Sequence, residues 1–491
     1  MQKGILKSVR ILVKASAAAI IIPFPCLAGT PAFNVDTKPL DRTKPLPSSL
    51  APIVKKAAPS VVSIYTTKTV RVQNIWAPFF DDPFFRRFFQ PPSEMEQQIH
   101  GLGSGVIVTS DGYILTSYHV IADAEEIKVA LNDDKIRLDA KVIGSDPQTD
   151  IAVLKVETNG LPAIVMANSD QVEVGDFAIA IGNPFGVGQT VTAGIVSAKG
   201  RSHLGLVDFE DFIQTDAPIN PGNSGGALVD LEGRLIGINA AIFTRSGGNM
   251  GIGFAVSANL ARYVCERIIA EGKVTRGYLG VIVQLITPEL AEQFKLSDTQ
   301  GALVAQVYPD SPAARAGLKE GDVIVEYNGH KVSDNSHLRL MVAHTKPGTK
   351  VTIKVIRDGK PVSLQATIGE LRGEGLARAG RIPPKLFDHG AEKASPLDGV
   401  IVDDLTPQLR RQYEIPDHVT GAIVTEVAPE SPAAEQLKPG DVILEINKKP
   451  VRNAEEAIEL SKQVQENKVL LRIWRGGGSR YLVVEVKRSK K

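Results

Sequence analysis

Short apolar runs, broken by Gly, Asn and Asp, recur from about residue 51 to residue 270. Val61–Tyr65, Gly105–Val108, Ile151–Val156 and Phe177–Ile181 are examples. Runs of this length with this punctuation predict the strands of an all-β barrel or sandwich. One stretch departs from that rhythm. Over Ser257–Glu271, the residues Leu260, Val264 and Ile268 recur every fourth position, which puts them on one face of a helix. Ser257 is a suitable N-cap and Gly272 a suitable stop. Cys265 lies on this helix and is expected to be a buried thiol.

The C-terminal half carries an internal repeat. Gly301–Ala314 (Gly-Ala-Leu-Val-Ala-Gln-Val-Tyr-Pro-Asp-Ser-Pro-Ala-Ala) matches Gly421–Ala434, 120 residues later. Gly321-Asp322-Val323-Ile324 matches Gly440-Asp441-Val442-Ile443 at an offset of 119. A period this long excludes a solenoid and predicts two tandem modules, residues 275–370 and 395–488. Residues 371–394, rich in Gly, Arg, Lys and Pro, read as a flexible linker. The β-rich block then occupies 51–272, and the Pro-, Thr- and Ser-rich stretch 29–50 reads as a second linker.

Residues 1–28 read differently from the rest. They hold Lys3, Lys7, Arg10 and Lys14 and no acidic residue, then an apolar run Ala15–Ile22, and end on Cys26-Leu27-Ala28. This is the layout of a cleaved secretory signal peptide, with Ala32 as a second possible cut. The run is shorter than the ~20 residues that a spanning helix needs. Processing would take the net charge from +1 to −3 by removing those four basic residues. It would also remove Cys26 and leave Cys265 without a partner for an intrachain disulfide. With 56 basic and 55 acidic residues, nothing points to nucleic acid. No later stretch approaches membrane-spanning length. There is no phosphate loop, cofactor fingerprint or metal-ligand set. His330, His337 and His344 fall seven apart; as helix positions they would lie ~10 Å apart, too far to share an ion, and read as a solvated helix face.

Three segments carry candidate chemistry. Pro221-Gly222-Asn223-Ser224-Gly225-Gly226 sets a serine among small residues, where a tight turn exposes Oγ and aims backbone N–H groups at one point. Thr116-Ser117-Tyr118-His119 follows an apolar run and puts an imidazole at a strand end. Asp150 directly precedes the apolar Ile151–Leu154. A serine hydroxyl needs a base to take its proton, and the base needs a carboxylate to fix its tautomer. His119, Asp150 and Ser224 supply that set. Their chain order is the one found on double β-barrels, unlike the subtilisin or α/β-hydrolase orders.

These segments, with the two Gly-Asp-Val-Ile modules behind them and the signal layout ahead, resemble the HtrA (DegP-like) family of trypsin-like serine proteases over about residues 51–488. The resemblance implies a mainly β fold: a chymotrypsin-like double barrel followed by two PDZ domains. It implies Ser224 as nucleophile, His119 as general acid/base and Asp150 as its orienting partner. The N–H groups of Gly222, Asn223 and Ser224 become oxyanion-hole candidates. Ile219, Phe243 and Ile252 match positions lining the primary specificity pocket. Ser117 stands where the family usually has Asn.

In the first module, Tyr278-Leu279-Gly280-Val281 fits a loop that captures a peptide C-terminal carboxylate. Leu397-Asp398-Gly399-Val400 is its counterpart in the second, where Asp398 argues for weak carboxylate binding. Six of the 16 Phe fall in residues 77–90, which reads as an exposed contact loop. The expectation is a periplasmic, ATP-independent endopeptidase acting on unfolded or misfolded polypeptides and assembled as trimers or multiples of trimers. A chaperone or peptide-binding scaffold with secondary proteolysis is the alternative.

Overall fold

The computed structural model describes residues 32–71, 96–131, 135–183, 188–202, 204–220, 222–242, 251–371, 397–464 and 467–485. The signal segment 1–28, the Phe-rich stretch 77–90, Phe243 and all but the first residue of the linker 371–394 lie outside them.

Two six-stranded barrels form from the β-rich block. The first closes in the order β2 (Val61–Arg71), β3 (Glu96–Ile107), β4 (Tyr113–Ser117), β7 (Ile151–Val156), β6 (Ile136–Asp146), β5 (Glu126–Leu131). Its core holds Ile64, Ile107, Ile114, Val129 and Leu154. The second runs β13 (Leu235–Ile242), β12 (Ala227–Val229), β9 (Phe177–Gly182), β10 (Thr190–Arg201), β11 (Phe212–Thr215), β14 (Gly253–Ser257), and β14 closes it by pairing with β13. The apolar runs are continuous rather than alternating because β4 and β7 are covered on both faces.

The helix Ala258–Glu271 packs Leu260, Val264, Cys265 and Ile268 into the core between the barrels. Ser257 Oγ accepts from the Leu260 N–H, and Gly272 ends the helix in a left-handed conformation, as the pattern predicts.

Within the stretch 29–50, the described residues 32–50 are not the free linker that composition suggests. Strand β1 (Asn34–Asp36) pairs in parallel with β8 (Val165–Ala167). Arg42 then makes a two-pronged contact with Asp176, at 2.8 Å on each arm. Pairing and ion pairs over such sequence distance need no local apolar rhythm, so Pro and Thr content hid them.

The repeat resolves into two sheets of one topology. The first runs β16 (Val281–Gln284), β17 (Ala302–Val307), β18 (Val323–Tyr327), β20 (Lys350–Arg357), β21 (Lys360–Thr367); the second runs β23 (Val400–Asp404), β24 (Ala422–Val427), β25 (Val442–Ile446), β27 (Lys468–Arg475), β28 (Gly478–Glu485). The Gly-Asp-Val-Ile motif now has a physical reason. Asp322 is buried, accepts from the Lys319 N–H at 2.9 Å and is gripped by Arg357 at 2.7 Å. Asp441 repeats this with the Lys438 N–H and Arg475. The modules also touch: Phe294 meets Tyr481 edge-on at 5.2 Å.

The three histidines do not share a helix face. His330 is on a short strand, and the helix begins at Asn335. His337 packs on Ser333 Oγ at 3.0 Å, and His344 stacks on Tyr263 at 4.2 Å. His337 and His344 do share the helix Asn335–His344, whereas the interval from His330 to His337 crosses a strand–turn–helix boundary that the pattern alone did not mark.

Candidate active site

Strand register brings His119 to Asp150. In the β4–β7 pair, Thr116 faces Ala152 and Ser117 faces Ile151. One step further, the Tyr118 N–H donates to the Asp150 carbonyl at 2.9 Å. The chain then turns into the short helix Tyr118–Ile121, which lifts His119 over the carboxylate. Asp150 Oδ1 accepts from the His119 N–H at 2.9 Å, and Oδ2 lies 2.7 Å from Nδ1. A carboxylate on Nδ1 keeps the proton there and leaves Nε2 as the basic nitrogen. The side chain of Asp150 is 13% exposed and that of His119 50%, so the carboxylate is shielded while the imidazole stays accessible. Asp150 has φ of 59°, in the left-handed region that Asp tolerates better than most residues. Behind it, Thr149 Oγ1 donates to Asp146, and Asp146 is held by Arg276 through Nη1 at 3.0 Å and Nη2 at 2.5 Å.

The Ser224 turn comes from the second barrel, just before β12, and is sewn to the first. The Ser104 N–H donates to the Ser224 carbonyl at 2.9 Å, and Ser104 Oγ donates to the Gly222 carbonyl at 2.6 Å. Gly225 has φ of 82°, and a Cβ there would sit 2.2 Å from the Ser104 carbonyl oxygen and 2.4 Å from Thr116 Oγ1. Only glycine fits, so this part of the motif is demanded by the close approach of the two barrels. Ser224 Oγ donates to the Ala240 carbonyl at 3.3 Å. The amide of Asn223 donates to the Asn220 carbonyl at 3.0 Å and is spent there. Among the described residues, the Gly222 and Ser224 N–H groups donate to no protein acceptor.

Ile219 is 1% exposed and packs among Ala217, Leu228 and Ile236 in the second barrel; Ile252 is half-buried against the core between the barrels. In the first repeat module, Gly280 has φ of 85° and its carbonyl accepts from Tyr308 at 3.0 Å. Leu279 is buried, and β16, which begins at Val281, is an edge strand. In the second module, Gly399 and Ala428 repeat the Gly280–Tyr308 bond at 2.8 Å. The loop after Arg201 was not singled out from the sequence, yet the guanidinium groups of Arg276 and Arg339 both lie over the Phe209 ring, at 4.4 and 4.8 Å from its centroid. Its N–H donates to Gln148, in the turn that leads to Asp150.

Comparison with known proteins agrees with this architecture. Residues 103–238 match the trypsin-like peptidase domain, and residues 248–368 and 423–475 each match the PDZ domain. A probable periplasmic serine endoprotease, DegP-like, from Chlamydia trachomatis serovar D is 41% identical over 463 residues, covering 91% of this chain and 90% of the relative. The protein of the same description from Ectopseudomonas mendocina is 42% identical over 451 residues, 88% of this chain and 93% of its own. The chain belongs to the HtrA family of DegP-like serine endoproteases. Among solved structures, the HtrA-type protease AlgW with a decapeptide is 52% identical, covers 66% of this chain and 99% of its own, and has a TM-score of 0.54. The first PDZ match begins at residue 248, ahead of β14, although β14 is hydrogen-bonded into the second barrel.

Proposed function

We propose that Ser224 is the nucleophile of this endopeptidase, His119 its general acid/base and Asp150 the group that fixes the imidazole. The pairing of Asp150 with both the backbone and Nδ1 of His119 carries this reading. To react, Ser224 Oγ leaves the Ala240 carbonyl and gives its proton to Nε2 as it attacks the scissile carbonyl. The N–H groups of Gly222 and Ser224 receive the oxyanion. Asn223, whose amide is spent on Asn220, is not a donor in this reading. The imidazolium then protonates the leaving amine, and water repeats the sequence on the acyl-enzyme. Ile219, Phe243 and Ile252 line an apolar pocket for a small aliphatic side chain.

The substrates are misfolded or unfolded exported polypeptides, cut without ATP. A peptide C-terminus docks on the loop Tyr278-Leu279-Gly280-Val281 and extends the β16 edge as an added strand. The enzyme works in the periplasm after its signal segment is removed, as trimers or multiples of trimers. The relatives' periplasmic names and the signal layout support the compartment. Among the described residues no helix is long and apolar enough to cross a membrane.

Purified enzyme should degrade casein and label at Ser224 with a fluorophosphonate, and Ser224→Ala should lose both. Cleavage retained by that variant would remove Ser224 from the mechanism. Equal suppression of aggregation by both proteins, with no cleavage by either, would make the chain a chaperone instead.

A further inference from the structure

The turn that carries Ser224 is held by one side chain that no motif singles out. Ser104 lies on β3 of the opposite barrel and is fully buried. Its hydroxyl has one proton and gives it to the Gly222 carbonyl at 2.6 Å. The same oxygen accepts from the Asn183 N–H at 2.9 Å, which leaves the hydroxyl proton one direction to point. Its own N–H goes to the Ser224 carbonyl at 2.9 Å.

The consequence follows peptide by peptide. The Gly222–Asn223 peptide is pinned at both ends, its N–H on Asn220 at 3.0 Å and its carbonyl on Ser104 Oγ. The Ser224–Gly225 peptide is pinned likewise, its carbonyl on the Ser104 N–H and its N–H on Asn239 at 2.7 Å. Between them the Asn223 carbonyl takes the Gly226 N–H at 2.9 Å. A peptide plane fixed at both ends cannot rotate, so the amides on either side of it are aimed. Those amides belong to Gly222 and Ser224.

We infer that Ser104 is a positioning residue for the oxyanion hole: its hydroxyl locks the Gly222–Asn223 peptide and so aims the Gly222 and Ser224 N–H groups at the reacting carbonyl. The inference rests on Ser224 being the nucleophile. Ser104→Ala keeps the main-chain bond to Ser224 and removes the hydroxyl's two bonds. A Cβ on Gly182 would lie 3.0 Å from Ser104 Oγ, and one on Gly226 would lie 3.2 Å from its Cβ, so the slot fits serine closely.

The test uses the full chain and a chromogenic peptide substrate, with rates normalised to active sites titrated by fluorophosphonate, well below the melting temperature. In Ser104→Ala, kcat should fall on the order of ten- to hundredfold while KM stays within about twofold, because the N–H groups that lose their aim bind the developing oxyanion far more strongly than the ground-state carbonyl. The inhibition constant of a peptide boronate, which mimics the tetrahedral species, should rise in proportion to the loss in kcat. Ser104→Cys, which keeps a weaker donor, should fall between wild type and Ser104→Ala, and it serves alone if the alanine variant does not fold. A lower melting temperature with unchanged kcat per titrated site and unchanged boronate affinity would make Ser104 merely structural and overturn the inference. Labelling that persists in Ser224→Ala would instead overturn the assignment of Ser224.

Discussion

Arg276 offers the sharpest test of how the first PDZ module supports the catalytic barrel. It reaches 130 residues back along the chain to Asp146 and grips it with two nitrogens, at 3.0 and 2.5 Å. The side chains of Arg276 and Asp146 are 7% and 6% exposed. Replacing Arg276 by Met keeps much of the side-chain volume and removes the charge. Asp146 would then be a buried carboxylate with the Thr149 hydroxyl as its remaining side-chain donor. Breaking one side of such a pair costs about 3–5 kcal/mol. The lost stacking on Phe209 adds about 0.5–2 kcal/mol. Undocking of the PDZ module caps the total, because water then reaches Asp146.

At ~2–4 °C per kcal/mol for a unit of 150–250 residues, the 3–5 kcal/mol term alone lowers the barrel's melting temperature by about 6–20 °C. Calorimetry in a Ser224→Ala background, which removes self-digestion, reads this directly. Asp146→Asn combined with Arg276→Met should be more stable than Arg276→Met alone, since no charge is left buried. A single-variant loss below about 1 kcal/mol, or two strictly additive losses, would refute the view that this pair clamps the two units.

Three further outcomes follow from the geometry. Asp150→Asn should lower kcat by about three to four orders of magnitude with little change in KM, because the imidazole loses the carboxylate that fixes its tautomer; steady-state kinetics on a peptide substrate check it. Gly280→Ala should abolish binding of peptide C-termini to the first PDZ module in a fluorescence anisotropy titration, since a Cβ at φ of 85° would sit 2.2 Å from Ser311 Cβ. Cys265 should resist thiol reagents in the native enzyme and react on unfolding, as burial pushes its thiol well above the ordinary range.

The barrels, the repeat and the helix after β14 were legible because each rests on local pattern: apolar runs, a matched segment, a capped four-residue period. The strand end before His119, the junction of Asp150 with β7 and the small-residue turn at Ser224 were legible too, since each is a local pattern. What escaped rests on pairs far apart in sequence. Arg276–Asp146, Arg42–Asp176 and the two guanidinium groups over Phe209 join residues with no shared motif, and a single sequence offers no signal for them. Asn223 shows another limit. A run of small residues says that amides converge, and only the peptide orientations say that the Asn223 amide goes to Asn220. The histidine spacing misled only at His330, because a period of seven has helical meaning only inside one helix, and that helix holds His337 and His344 alone of the three.

Two buried serines flank the Ser224 turn, and sequence and geometry rank them in opposite order. Ser117 drew notice because the family usually has Asn there; Ser104 drew none. Both are fully buried. Ser117 Oγ reaches the Asn239 carbonyl at 3.4 Å, the far edge of hydrogen-bond range, and that carbonyl already takes the Gly225 N–H at 2.7 Å. Deleting the Ser117 hydroxyl therefore leaves no acceptor empty. Its backbone does the holding, through the register with Ile151 that sets His119. Ser117→Ala should cost less than about 1 kcal/mol in denaturant unfolding and leave kcat within about twofold. Ser104→Ala leaves both the Gly222 carbonyl and the Asn183 N–H without their partner, at about 1–3 kcal/mol each where no water enters. If Ser117→Ala slows catalysis as much as Ser104→Ala does, bond length and partner count are not what hold this turn. The role assigned to Ser104 would then lose its physical basis.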